Sequence, residues 1–382
     1  MRPLTLSKGY LLLIVALLSL LAACDKKDPV KLGFVGGLTG RVSDLGIAGR
    51  NGVTLAVEEW NRRGGINGRP IVLLVTDDKQ DQHAAKVAVT SLLDQGVVAV
   101  IGHMTSDMSV TTLPLFDQRR IVLVSPTTTT EDLTAKDDYF FRVCEGNDRY
   151  ARELAMTLSQ GQGFKRVAVI YDLGNKAYSE SYLRSFRKAF AQSGGEIVGA
   201  VSYISGPDVA FSELAKRALD FDPDSVVMIS SAVDTALLAQ QFEKTGKRLP
   251  LATSAWGGTE KLLSLGGRAV EGMVLQQYFD RDNTSPSYLA FRRVYLERFG
   301  EEPGFASVGA YDASNFVLSA LSRKDSSSEL KDALLNYGHF SGIQDTIVID
   351  RFGDATRIIY SLVVRNGKFV TVVQPSAPPE KP

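Results

Sequence analysis

The sequence predicts an α/β fold of two lobes, each a parallel sheet with helices on both faces. Three observations carry this. Short β-branched runs alternate with longer segments of helical period, the signature of parallel strands covered by helices. The alternation runs through twice. The stretch from Cys24 to Pro382 also exceeds the ~100 to 200 residues usual for one domain and is long enough for two well-buried lobes.

The N-terminus reads as a targeting segment. Arg2 and Lys8 precede an apolar run from Tyr10 to Ala23, broken by Ser19. At about fourteen residues the run is short of the ~20 that a spanning helix needs, and it matches the apolar region of a secretory signal. It closes on Leu21-Ala22-Ala23-Cys24, which resembles the lipobox of bacterial lipoproteins. That resemblance implies a lipoprotein signal peptide over residues 1–23 and a mature chain that begins at an acylated Cys24, held to a membrane by several acyl chains together. An ordinary secretory signal with an incidental Cys24 is the alternative. Asp25 resembles an inner-membrane retention signal, so the expected location is the periplasmic side of the bacterial envelope, at the inner membrane. Residues 24–29 form a charged tether, and residues 374–382 a proline-rich tail unsuited to a helix or sheet interior.

The first β-α cycle is the clearest. Val30 to Val35 reads as a buried strand, and Val53, Ala56, Val57 and Trp60 form one apolar helical stripe that Gly64-Gly65 ends. Strands follow at Ile71 to Thr76, Val97 to Ile101 and Ile121 to Val124, with a helix at His83 to Leu93. A second series has helices at Tyr150 to Leu158, Tyr182 to Gln192, Phe211 to Leu219 and Thr235 to Lys244. Its strands are Val167 to Tyr171, Ile197 to Tyr203, Val226 to Ile229 and a short one near Leu251. Helices return at Tyr288 to Phe299, Ser307 to Leu321 and Leu330 to Leu335, before strands at Thr346 to Ile349, Arg357 to Arg365 and Phe369 to Val373. Asn366-Gly367 between the last two signals a tight hairpin. These closing strands are expected to join an earlier sheet.

With 43 basic and 43 acidic residues the net charge is zero, which gives no footprint for a nucleic-acid partner or a polybasic membrane patch. Beyond Cys24 the one cysteine is Cys144, read as a small buried hydrophobe, so no disulfide is expected.

Several segments, in order and spacing, resemble the type I periplasmic solute-binding proteins of ABC transporters, in the leucine/isoleucine/valine-binding branch. They are Gly36-Gly37-Leu38-Thr39-Gly40, Asn61 to Gly68, Asp77-Asp78, Val100-Ile101-Gly102-His103, Ser125-Pro126-Thr127, Phe141-Arg142 and Ala310-Tyr311-Asp312-Ala313. The resemblance implies two Rossmann-like lobes joined by three hinge crossovers, near Asn147, Phe279 and Thr346. The N-terminal lobe then comprises residues 30–147 plus 280–345, and the C-terminal lobe 148–279 plus 346–373. It further implies a monomer that binds a small molecule and serves a membrane permease.

Open α/β sheets bind ligands at the C-terminal ends of their strands, where helix starts face an anion. Two strand exits are rich in hydroxyls: Thr105 and Ser106 in one, Ser125 and Thr127 to Thr130 in the other. Hydroxyls beside free N–H groups clamp a carboxylate without a full positive charge. The family match places that role on Ser106, Thr127 and Thr129, with helix capping as the plainer account of the same residues. At the ammonium end the pattern departs from amino-acid binders. The acidic slot of the second lobe falls on Trp256, and a second frequent aspartate falls on Asn147, with Asp148 adjacent. Burying an ammonium without a carboxylate partner is costly, so these departures argue against a plain α-amino acid. Trp256 offers a face for an aromatic ring or a cation, or else plugs the cleft rim. Tyr178 matches a pocket aromatic of the family, and Leu45 stands where the family often has one.

Asp77-Asp78 with Asp81 and His83 reads as a strand end and a helix cap rather than a metal site. The chain holds no Gly-x-Ser-x-Gly elbow, no His-Glu-x-x-His and no phosphate loop, so neither an enzyme nor a cofactor is expected. The expected function is a lipid-anchored solute-binding protein for a small carboxylate-bearing ligand, an amino acid or a related acid, aromatic acids included, delivered to an ABC permease. A sensory module on the same fold is the second reading, and an envelope enzyme the third.

Overall fold

A computed structural model describes residues 27–325 and 328–376. Cys24, the signal segment 1–23 and residues 377–382 lie outside the described residues.

The first lobe opens with β1 (Val30–Gly36), α1 (Ser43–Arg62), β2 (Ile71–Asp77), α2 (Gln82–Asp94), β3 (Ala99–Ile101), α3 (Ser106–Arg119), β4 (Val122–Ser125) and β5 (Phe140–Arg142). Its five strands are all parallel in the order β2-β1-β3-β4-β5. Val122–Val124 and Ala99–Ile101 are buried on both faces, which explains why they read as unbroken apolar runs.

The second lobe contains α4 (Asn147–Met156), β6 (Arg166–Asp172), α5 (Lys176–Gln192), β7 (Glu196–Tyr203) and α6 (Phe211–Leu219). It continues through β8 (Ser225–Ile229), α7 (Ala232–Lys244), β9 (Leu251–Thr253), α8 (Glu260–Gly266) and β10 (Val274–Gln277). The chain then returns through α9 (Pro286–Phe299), α10 (Phe305–Arg323) and α11 (Leu330–Tyr337) to the first lobe, where α10 packs along α1. Gly52 permits that approach, since a Cβ there would lie 2.1 Å from the Ser307 carbonyl oxygen. Trp60 and Tyr311 fasten the pair through Asn315 at 2.9 Å and Glu59 at 2.6 Å.

The closing strands are β11 (His339–Ser341), β12 (Thr346–Ile349), β13 (Ala355–Thr356), β14 (Ile359–Arg365) and β15 (Lys368–Ser376). β14 and β15 add antiparallel to β10, giving a seven-stranded sheet in the order β15-β14-β10-β9-β8-β6-β7. Asn366 and Gly367 both take positive φ, 53° and 67°, as a type I′ hairpin turn requires.

Two sequence boundaries move. The segment from Thr346 to Thr356, assigned from sequence to the second lobe, joins neither large sheet. β12 pairs with β11 and β13 in a separate antiparallel sheet, and Gly353 accepts the Arg142 N–H at 3.0 Å beside β5. The chain therefore reaches the second lobe after Arg357, because the partner of β12 is β11 of the preceding segment. β15 also runs to Ser376, past the expected end at residue 373, and takes in Pro375. As the outermost strand it tolerates a residue without an N–H.

Candidate functional site

The C-terminal ends of the parallel strands of the two large sheets face one another across a cavity. The first lobe contributes Leu45, Met104, Thr105, Ser106, Thr127, Thr129 and Phe305 to its wall. The crossovers and the second lobe contribute Tyr150, Asn175, Tyr178, Ala255, Trp256, Gln277 and Tyr278.

The first-lobe wall is built from two strand exits stitched together by hydroxyls. Ser125 Oγ donates to the His103 carbonyl at 2.7 Å and accepts the Thr128 N–H at 3.0 Å. Thr127 Oγ1 donates to the Met104 carbonyl at 2.7 Å, and Ser106 Oγ accepts the Thr129 N–H at 3.4 Å. This fixes the β4 exit against the first turn of α3. Thr105 precedes that helix but does not cap it; its hydroxyl turns to Gln80 Oε1 at 3.1 Å. The positive end of a fourteen-residue helix and the Ser106 hydroxyl thus border the same space, a setting for a small anion.

The second-lobe wall is aromatic. Trp256 sits on a short helical turn after β9 and meets Tyr178 edge-to-face, with centroids 5.5 Å apart. Tyr178 lies in the first turn of α5, and its hydroxyl accepts the Trp256 N–H at 3.4 Å. Both are buried, and Trp256 lines the cavity. Burial raises the phenols of Tyr150, Tyr178 and Tyr278 above their ordinary ionisation range, which keeps all three neutral.

Of the residues singled out from sequence, Leu45, Ser106, Thr127, Thr129, Tyr178 and Trp256 line this one cavity. Asn147 and Asp148 do not. Asn147 is fully buried behind the wall, where Oδ1 accepts from Thr129 Oγ1 at 2.6 Å and Nδ2 donates to the Tyr178 carbonyl at 3.1 Å. It bridges the lobes instead of facing the ligand space. Asp148 turns outward to Arg152 at 2.8 Å, with both side chains about half exposed, so it does not stand in for a missing acid. The cavity wall, drawn from the described residues, contains no aspartate or glutamate.

Sequence reasoning missed Met104, Tyr150, Asn175, Gln277, Tyr278 and Phe305. Tyr150 carried no signal beyond its place in a helical segment. Gln277 ends and Tyr278 follows a strand, Val-Leu-Gln-Gln, whose glutamines hide its apolar character. Asn175 Oδ1 accepts the Asp107 N–H at 3.1 Å across the lobes, while Asp107 Oδ1 accepts the Ala177 N–H at 3.3 Å. The first turns of α3 and α5 therefore cap each other in this closed arrangement. Arg41 of the first lobe reaches Asp234 of the second at 2.7 Å, and Asp44 accepts from Thr259 at 2.6 Å.

The acidic patch near β2 resolves into structural roles. Asp81 accepts the Ala84 N–H at 2.8 Å and caps α2, and Asp77 holds Leu38 and Thr39 at the end of β1. Asp78 pairs with His103 at 2.7 Å, both fully buried.

The sequence profile described as periplasmic binding protein matches residues 29–368. The chain belongs to the periplasmic binding protein family. Among relatives of this periplasmic binding protein is the Leu/Ile/Val-binding protein homolog 3 of Brucella melitensis, 26% identical over 302 residues, or 78% of this chain and 80% of the relative. Among solved structures, the leucine-binding protein LivK of Thermotoga maritima is 25% identical with a TM-score of 0.84, over 90% of this chain and 98% of the other. A solute-binding protein of an R. palustris ABC transporter in complex with benzoate is 19% identical, with a TM-score of 0.81 over 90% and 95% of the two chains, a likeness of fold. These relatives are solute-binding proteins and not enzymes, and this periplasmic binding protein is a solute-binding protein of the ABC-transporter type.

Proposed function

We propose that the chain, anchored through lipid on Cys24 at the periplasmic face of the inner membrane, captures a small carboxylate-bearing ligand between its lobes and delivers it to an ABC permease. The observation that carries this reading is the cavity itself, which joins hydroxyls at a helix start on one wall to aromatic rings on the other. Ser106 grips the carboxylate with its hydroxyl and Thr127 and Thr129 with their backbone N–H groups, since the two threonine hydroxyls donate to the Met104 carbonyl and Asn147 Oδ1, and Tyr178 and Trp256 cover the remainder. Asn147 acts behind them by holding Thr129 and the start of α5. Contacts available when both lobes meet the ligand favour the closed state. The benzoate bound by the R. palustris protein, which shares this fold, is a carboxylate of that size class.

Calorimetry on the Ser106→Ala variant tests the clamp. Loss of a hydrogen bond to a charged group should weaken carboxylate binding by about 1.5 to 3 kcal/mol. An unchanged dissociation constant removes Ser106 from the site. Labelling with a radioactive fatty acid, lost in Cys24→Ala, tests the anchor.

A further inference from the structure

The carboxylate reading leaves open what else the ligand carries, and the polar groups of the cavity wall bear on that. Most are already engaged. Thr127 and Thr129 donate to the Met104 carbonyl and Asn147 Oδ1. Gln277 is used at both ends, its Nε2 donating to the Gly258 carbonyl at 3.0 Å and its Oε1 accepting from Arg281 at 3.0 Å. Tyr278 donates to the Phe305 carbonyl at 2.7 Å, and Asn175 Oδ1 is taken by Asp107 N–H. Tyr178 Oη accepts from the Trp256 N–H.

Tyr150 differs. It is 1% exposed, and its hydroxyl has no hydrogen-bond partner. Among the described residues, Tyr150 is the one cavity-wall residue whose side chain holds a buried polar atom without a partner. A buried hydroxyl left unpaired is costly, and a phenylalanine would fill the same space without that cost. Burial also holds the phenol protonated, so it has a hydrogen to give. The wall offers no carboxylate to an ammonium, which would enter desolvated and without a counter-charge.

We infer that the ligand is a carboxylate without an amino group that carries a neutral oxygen substituent, an oxo or hydroxyl group, and that the Tyr150 hydroxyl is the residue that reads it. The inference rests on the carboxylate reading of the cavity. Tyr150 stands in the first turn of α4, just past a crossover, so closing the lobes brings it against a ligand already held by the α3 and β4 loops. Oxygenated acids then gain a hydrogen bond that their parent acids lack, and the corresponding amino acid meets an unpaired desolvated cation.

The test is calorimetry with the full chain purified in detergent, using benzoate, 4-hydroxybenzoate, 4-methylpentanoate, 4-methyl-2-oxopentanoate and leucine, each with and without Tyr150→Phe. In at least one pair the oxygenated acid should bind more tightly than its parent, and leucine should bind at least tenfold more weakly than 4-methyl-2-oxopentanoate. Tyr150→Phe should lower affinity for the oxygenated acid by about 2- to 12-fold, the range of one hydrogen bond, and leave the parent acid unchanged. The melting temperature of the free variant should not fall, since no protein hydrogen bond is lost. Leucine binding tightest, or Tyr150→Phe acting equally on both members of a pair or on neither, overturns the inference while the carboxylate reading stands. If none of the five acids binds, or if benzamide binds as well as benzoate, the carboxylate reading falls and takes the inference with it.

Discussion

Arg41 should control closure. Its guanidinium leaves the first lobe, meets the buried Asp234 carboxylate of the second at 2.7 Å and lies over the Phe211 ring, 5.5 Å from the centroid. Asp234 also accepts from the Tyr203 and Ser205 hydroxyls of its own lobe, so Arg41→Ala removes the inter-lobe contact without stranding a bare charge. A charge-assisted hydrogen bond contributes ~1.5 to 3 kcal/mol, and Arg41, about a third exposed, falls at or below the low end of that range because solvent screens it. Adding ~0.5 kcal/mol for the ring contact gives a total of about 1 to 2 kcal/mol. The bond exists when the lobes are closed, so that energy is lost from the closed state and appears as a 5- to 30-fold rise in Kd. Calorimetry with any carboxylate that binds measures the change, and X-ray scattering with and without ligand measures closure. The effect should shrink in high salt. A Kd equal to wild type with normal closure refutes the latch. So does a fall in the melting temperature of the free protein that accounts for the whole change, because Arg41 would then be supporting one fold and not joining two lobes.

Two further outcomes follow from single residues. The chain has two tryptophans, and Trp60 is held at Asn315 away from the cavity, so a ligand-induced change in tryptophan fluorescence should vanish in Trp256→Phe; persistence of the signal would place the ligand elsewhere. Burial, reinforced by the nearby Asp234 carboxylate, pushes Asp172 up to about 6 against hydrogen bonds from the Gly174 and Ser205 N–H groups that favour its ion. Between about pH 4 and 6 the folded chain therefore keeps a proton that the unfolded chain has released. This group's stabilisation is complete below its unfolded value of 3.8 and is lost as pH rises through the folded value. Denaturant melts across that window should show a weaker decline with pH in Asp172→Asn, and an identical slope would count against the assignment.

Much of the architecture was legible because buried parallel strands are written as short apolar runs, and because β-branched strands and helical stripes alternate. The helix α6 and the strand β12 coincide with their sequence ranges. The failures share a cause, which is polarity near the site. The helix α3 was not read as one, since its hydroxyls and Pro114 break the apolar stripe. The helix α5 begins six residues before the expected Tyr182, because Lys176 to Ser181 is polar apart from Ala177 and Tyr178. The β11–β12 pairing depends on partners that no local pattern names. For the site, hydroxyl-rich strand exits were visible as composition, whereas the Asn147 bridge and the unpaired Tyr150 hydroxyl depend on which way a buried side chain turns. That direction is set by packing across two lobes.

The distribution of charge around the cavity links these observations. Acids are close by, yet each is turned to another task. Asp78 is sealed against His103, Asp172 holds the turn after β6, Asp234 receives Arg41, and Asp312 lies 3.4 Å from the buried Arg357 guanidinium. Arg357 in turn stacks on Tyr278 of the cavity wall, 4.4 Å from its centroid. Charge is therefore spent on bracing the loops and joining the lobes, while the cavity wall presents neutral hydroxyls, a helix start and aromatic faces. In such a design a change in Arg41 should alter how tightly every ligand is held, whereas a change in Tyr150 should alter which ligand is preferred. Affinity and selectivity then rest on different residues, and the two variants separate them.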